Sequence, residues 1–237
     1  MARPWIWLTV VLTVLAAVAG AGLLVQRDRL ATPVSAVWHP PAASASASPP
    51  GATSTHTPSP TPSTGPPASL RRVFPVQGKA SYAREHHDYP GTDIMAACGL
   101  PVVAVTDGVV LDVATVDRYD PAVNDGATRG GLSVSVLGDD GVRYYGSHFA
   151  SIDRAVQPGA RVSAGQELGT VGRTGNASAC HLHFGISPPC ARVGDWWVQR
   201  GVIWPWSYLD SWRDGGNKSP VEEIAAWQAD HGCPAEP

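Results

Sequence analysis

Between residues 30 and 70 there is not one Asp, Glu, Lys or Arg, yet ten of the chain's 22 prolines lie there. A stretch this short of large apolar side chains cannot offset the entropy of ordering, so it cannot join a core. Runs such as Ser48-Pro49-Pro50 and Thr57-Pro58-Ser59-Pro60-Thr61-Pro62 bias it toward polyproline II. Residues 30–70 therefore read as a disordered linker, extending up to ~3.1 Å per residue. Ahead of it, residues 5–25 carry no formal charge and are flanked by Arg3 and by Arg27, Asp28 and Arg29. A secretory apolar region runs ~7–15 residues and a membrane span about 20. Ala17-Val18-Ala19 offers a small-residue cleavage site, but apolar residues continue through Leu23, Leu24 and Val25. Residues 1–29 are expected to be a signal anchor, with a cleaved signal peptide as the alternative. Lys/Arg counting leaves its orientation open.

Everything able to build a core thus lies beyond residue 70. Charged residues are 16% of the whole chain, against roughly 25% in an ordinary domain. The deficit comes from the first 70 residues; residues 71–237 carry 14 basic and 19 acidic side chains. That acidic balance excludes a nucleic-acid binder that works through a basic field. The 25 Gly and 22 Pro exclude a coiled coil or helical bundle.

From residue 71 the chain is cut into short β-rich runs by glycines. Val102-Val103-Ala104-Val105 leads through Asp107-Gly108 into Val109-Val110-Leu111-Asp112-Val113. Leu132-Ser133-Val134-Ser135-Val136 alternates with period two; Gly138-Asp139-Asp140-Gly141 turns, and Val142-Arg143-Tyr144-Tyr145 returns as a hairpin. Residues 168–171 supply another strand, and residues 181–187 alternate again. Frequent short strands and turns predict an all-β antiparallel domain. Ser219-Pro220-Val221-Glu222 has a capping residue, Pro at the first helical position and Glu at the third, which predicts a C-terminal helix through about Asp230.

The histidines concentrate in the β region: His86 and His87 ahead of Asp93, His148 after a Tyr-rich strand, and His181-Leu182-His183. Residues two apart on a strand share a face, so His181 and His183 present two imidazoles side by side. A hydrolytic zinc site needs three N/O ligands and one open position for water. A lone His-x-His is weak as a signal, and His86-His87 alone reads as a surface pair. Their order on an all-β background carries the inference.

That order, from about Phe74 to Ser187, resembles the lysostaphin/LytM-type zinc metallopeptidases of family M23. The resembling segments are Tyr89-Pro90-Gly91-Thr92-Asp93-Ile94, Gly99-Leu100-Pro101-Val102-Val103-Ala104, Tyr145-Gly146-Ser147-His148-Phe149, Gly172-Arg173-Thr174-Gly175-Asn176 and His181-Leu182-His183-Phe184-Gly185. The resemblance implies a lysostaphin/LytM-like (duplicated hybrid motif) sheet domain with one zinc ion and a peptidoglycan peptide as substrate. It implies Asp93 and His183 as zinc ligands, His181 as base or proton shuttle, and His148 as the group that assists or steadies the oxyanion. The family's remaining ligand is a His four residues before the Asp, but position 89 is Tyr. A two-residue insertion keeps strand parity and favours His87 over His86, which would need a bulge to turn inward.

The expected organisation is therefore anchor 1–29, linker 30–70, peptidase domain 71–190 and a Trp-rich extension 191–237. The function expected is zinc-dependent hydrolysis of peptidoglycan peptide bonds outside the cytoplasm. The alternative is an inactive domain of the same fold that binds peptidoglycan or activates another hydrolase. A lipoyl-like carrier is a distant third, because no Lys lies in the hairpin. Oligomeric state is not legible.

Four cysteines in an exported domain predict two disulfides. Cys180 and Cys190 bracket the His-x-His strand and are expected to pair, leaving Cys98 with Cys233; Cys180 as a metal ligand is the alternative. The extension holds Asp195-Trp196-Trp197 and Trp204-Pro205-Trp206, read as an apolar apron on the sheet or as an aromatic shelf for glycan. Residues 117–129 (Asp117, Asp120, Asn124, Asp125) lack calcium-loop spacing and read as a solvated wall of the groove.

Overall fold

The computed structural model describes residues 70–237; the expected anchor, and the linker up to residue 69, lie outside the described residues. Among the described residues no helix is long and apolar enough to cross a membrane. The strands are β1 (Ala80–Ser81), β2 (Thr92–Ala96), β3 (Pro101–Val103), β4 (Gly108–Ala114), β5 (Ser133–Gly138), β6 (Arg143–Ser147), β7 (Phe149–Ile152), β8 (Arg161–Val162), β9 (Glu167–Val171) and β10 (His181–Ser187). Three helices follow, α1 (Trp196–Gln199), α2 (Trp206–Arg213) and α3 (Val221–His231). A seven-stranded sheet runs β1-β2-β10-β6-β5-β4-β8, and a three-stranded sheet runs β3-β9-β7. The pairings are antiparallel. The mostly-β domain with a short C-terminal helix is the class the sequence predicts.

The predicted hairpin forms between β5 and β6. Gly141 takes φ +79°, and the Asp140 carboxylate accepts the Val142 amide at 3.1 Å. The His-x-His strand, β10, lies between β2 and β6 with all seven residues buried. Its alternation sends Leu182, Phe184 and Ile186 into the main hydrophobic cluster with Ile94, Val134 and Tyr144. His181 and His183 are left on the opposite face.

The cysteine pairing differs from the expectation: Cys98 bonds Cys180, and Cys190 bonds Cys233. The register explains it. Met95 of β2 stands opposite His181 of β10, so the chain leaving β2 and the chain entering β10 meet at one end of the pair. Cys180 and Cys190 flank opposite ends of a strand that rises ~3.3 Å per residue, far beyond the ~7 Å Cα separation a disulfide tolerates. Bonded to Cys98, Cys180 is no metal ligand.

Helix α3 forms where predicted, but Pro220 occupies its cap position without a side-chain cap. Ser219 Oγ accepts from the Val221 amide at 3.4 Å and from the Arg72 guanidinium at 3.2 Å. The latter bond ties the start of the domain to its end, and Arg72 also pairs with Asp140 of the β5–β6 turn at 2.7 Å. Helices α1 and α2 were not predicted. In α2, Leu209 and Trp212 lie on one face and join the main core, Trp212 edge-on to Phe184 at 6.3 Å and to Tyr144 at 6.1 Å between ring centroids. The Trp-rich segment therefore divides: Trp212 is packing, while Trp204 stays 40% exposed.

The extension is fastened by a buried ion pair. The Arg143 guanidinium on β6 donates to both Asp195 oxygens, at 2.6 and 2.9 Å, and to Ser187 Oγ at 2.9 Å. Arg143 is fully buried and Asp195 only 2% exposed. Removing one partner of such a pair leaves an uncompensated buried charge. We expect Asp195→Asn to cost about 3–5 kcal/mol of unfolding free energy, read as a lowered urea midpoint. Cys98→Ser, which opens the longer covalent loop, should cost about 2–4 kcal/mol, and peptide mapping without reductant should recover Cys98 linked to Cys180.

Candidate functional site

Asp93 is the hub. It faces His183 across the β2–β10 register, and His183 Nδ1 lies 3.1 Å from its Oδ1. His86 Nε2 lies 3.5 Å and His181 Nε2 3.7 Å from the same oxygen. The donor-bearing atoms of His86, His87 and Asp93 also gather within 4.8 Å of one another. His148 completes the group, its ring 4.6 Å from that of His181. The structure thus brings together all five residues expected from sequence, together with His86.

Both upstream histidines reach the cluster, but differently. The His86 side chain is 3% exposed and packs against the rings of Tyr89 at 4.6 Å and His183 at 5.0 Å. His87 is exposed. Strand parity has nothing to act on here, because residues 82–91 are irregular and β2 begins only at Thr92. The close approach needs Gly91: a Cβ there would stand 2.8 Å from His183 Cε1.

Four backbone carbonyls fix the imidazoles. A carbonyl oxygen only accepts, so the ring nitrogen facing it must carry the proton. His86 Nδ1 donates to Tyr89 O at 3.1 Å, His148 Nδ1 to Thr174 O at 2.7 Å, His181 Nδ1 to Ala179 O at 2.9 Å and His183 Nε2 to Arg200 O at 2.8 Å. In each neutral ring the other nitrogen is then a bare lone pair. For His183 that lone pair faces a carboxylate oxygen, two acceptors in contact. Such an arrangement is relieved by a cation between them. Imidazole nitrogens with a carboxylate oxygen are the donor set zinc takes, and a carbonyl accepting from the far nitrogen is the usual support of a ligating His.

Electrostatics agree with these roles. Burial pushes the Asp93 carboxyl up, but where a proton rather than a metal cation fills the gap, hydrogen bonds from His183 and His86 and the positive charge of the His183 and His181 rings hold it well below the usual carboxylate range. Burial pushes His148 down to about 4; its bond to Thr174 opposes this, and His181 and His183 add to it. His148 is therefore neutral near pH 7. Its backbone takes φ +67°, a left-handed strain for a non-glycine residue between β6 and β7.

The cluster opens into a groove of about 560 Å³. One wall includes Gly126, Ala127 and Arg129 of the 117–129 loop; Asn176 and Ser178 precede β10; Trp196, Gln199 and Arg200 come from the extension. The loop's acids do not converge on a cation. Asp117 accepts from Gly175 N, Asp120 from Ala122 N and Asp125 from Ala127 N. Sequence reasoning named Trp196 within an apron or an aromatic shelf, and the structure puts it in the groove wall; it missed the contributions of Tyr89 and of Arg200, the latter lying outside every motif.

The sequence profile of peptidase family M23 matches residues 87–194. That span contains His87, Asp93, His148, His181 and His183, starts one residue after His86 and ends one before Asp195. Over 95 residues the chain is 35% identical to the Glycyl-glycine endopeptidase ALE-1 of Staphylococcus capitis, covering 40% of this chain and 23% of that protein. Over 114 residues it is 31% identical to the Peptidoglycan DD-endopeptidase ShyC of Vibrio cholerae, covering 48% and 22%. The solved catalytic domain of the antimicrobial peptidase lysostaphin from Staphylococcus simulans is similar at 24% identity and a TM-score of 0.42, covering 56% of this chain and 91% of that one. The chain spans less than a quarter of the length of either curated relative. It carries a peptidase family M23 domain, homologous to the LytM/lysostaphin-type glycyl-glycine endopeptidases and to peptidoglycan endopeptidases.

Proposed function

We propose that this domain is a zinc-dependent endopeptidase that hydrolyses peptide bonds in peptidoglycan. M23 members hydrolyse peptidoglycan, and the family is zinc-dependent. The observation that carries the reading to this chain is the set of carbonyl-fixed imidazoles whose bare nitrogens surround Asp93. Asp93, His183 and an upstream His would hold one zinc ion. Between the two candidates, the burial of His86 supports it over His87, which the sequence spacing favours. The ion when bound supplies a water of pKa near ~7 and polarises the scissile carbonyl.

The chain's own groups do the rest. His181 Nε2, bare because Nδ1 is committed to Ala179, accepts a proton from the attacking water. His148 enters the cycle neutral, with Nε2 bare. It faces the groove as an acceptor first. Only after gaining a proton there can it donate to the charged tetrahedral oxygen or to the leaving amine. The same proposal places the domain on the wall side of a membrane, carried by the apolar segment 5–25 as an anchor or secreted if that segment is cleaved. It includes no nucleic-acid partner.

The test is zinc content together with peptide release from purified peptidoglycan. We expect His183→Ala to lose both. His181→Ala should keep zinc and lose turnover by roughly 10²–10⁴-fold. Zinc and full activity retained in His183→Ala would falsify the ligand assignment. A wild-type protein that binds zinc but releases nothing would favour the non-catalytic reading. For the upstream ligand, His86→Ala should weaken zinc affinity more than His87→Ala in a chelator competition; the reverse order would return the role to His87.

A further inference from the structure

Arg200 is a cation without an acidic partner among the described residues. Residues 71–237 hold more acids than bases, and Arg72, Arg84, Arg143 and Arg161 are each ion-paired. The Arg200 guanidinium takes part in none of the ion pairs among the described residues. Its Nε is buried with no hydrogen-bond partner, and so is Oε1 of the adjacent Gln199. Both side chains line the groove that holds the Asp93 cluster.

What Arg200 does have is a fixed plane. Its Cζ sits 3.9 Å from the centroid of the Tyr89 ring and 5.2 Å from that of Trp196. Tyr89 in turn packs against His86 and His183. One aromatic ring thus separates the guanidinium from the groups around Asp93: its Cζ is 3.9 Å from the Tyr89 centroid, itself 5.7 Å from that of His183, a span of at most about three extended residues at ~3.3–3.6 Å each. Stacking holds the fork in place without using its N–H donors, which leaves them pre-organised for a carboxylate.

We propose that Arg200 is a specificity-determining residue that receives a free carboxylate of the bound peptide within about three residues of the scissile bond. This rests on the endopeptidase reading above and adds to it the acidic character of the substrate. Arg200 has two separable parts in the site. Its backbone oxygen holds His183, and its side chain reads the substrate.

The test is binding of a single stem tetrapeptide, which has no cross-link to cut, to the purified full-length protein by calorimetry. One form carries its D-glutamate and diaminopimelate side carboxyls free; the other has them as carboxamides. Wild type should bind the free acid at least roughly tenfold more tightly, the scale of a charge-assisted hydrogen-bonded pair. Arg200→Met should bind both forms with the wild-type affinity for the amide, and Arg200→Lys should keep part of the preference. Equal wild-type affinity for acid and amide would overturn the proposal without recourse to any variant, as would a preference that survives in Arg200→Met. Cleavage of cross-linked dimers is read separately. Its absence, with the acid preference intact, would sink the hydrolase reading and leave the carboxylate receptor standing.

Discussion

A carbonyl oxygen cannot donate, and that constraint organises the site. Tyr89, Thr174, Ala179 and Arg200 each place a backbone oxygen against one nitrogen of a histidine. The protonated nitrogens are therefore dictated from outside the cluster, and the lone pairs are dictated inward. Four side chains of one type thereby become different tools. Two have lone pairs on the Asp93 carboxylate at short range, and two have lone pairs free to accept protons. Because backbone atoms set the tautomers, the chemistry is inherited from the path of the chain rather than from further polar side chains.

The path itself is held by close packing and by one buried charge pair. Gly185 lies against the Arg200 carbonyl so tightly that a Cβ would collide with it. The segment bearing that carbonyl starts at Asp195, which the Arg143 fork fixes to β6. A charge pair on the same face of the sheet, beyond the far end of the histidine row, thus reaches His183 through α1 and one carbonyl. These supporting parts lie past residue 194, where the family match ends, so the domain here recruits its own C-terminal extension to complete a shared site.

How much of this was legible in the sequence follows from the range of each signal. Period-two alternation and Asp-Gly turns are local, so most strands and the β5–β6 hairpin were readable. His-x-His on a strand fixed a shared face and held. The disulfides failed because their pairing depends on which strands are neighbours, and Cys180–Cys190 is close in sequence only. Helix α2 was overlooked although Leu209 and Trp212 follow Pro205 at helical spacing; the dense tryptophans were read as an apron on the sheet or a shelf for glycan, neither of which names a helix. Parity was the wrong tool for His86 and His87, since it presumes a strand that begins only at Thr92. Arg200 carried no signal at all: an arginine in an extension has many fates, and only the packing of Tyr89 and Trp196 distinguishes this one.

The large sheet ends on both sides in strands of two residues, β1 and β8. Each exposes too few free N–H and C=O groups to template a neighbouring chain. A buried centre as apolar as β10 would be hazardous at the rim, where it could recruit copies of itself into a growing ladder. Stopping the sheet with two-residue strands lets the domain work at high local density without polymerising edge to edge.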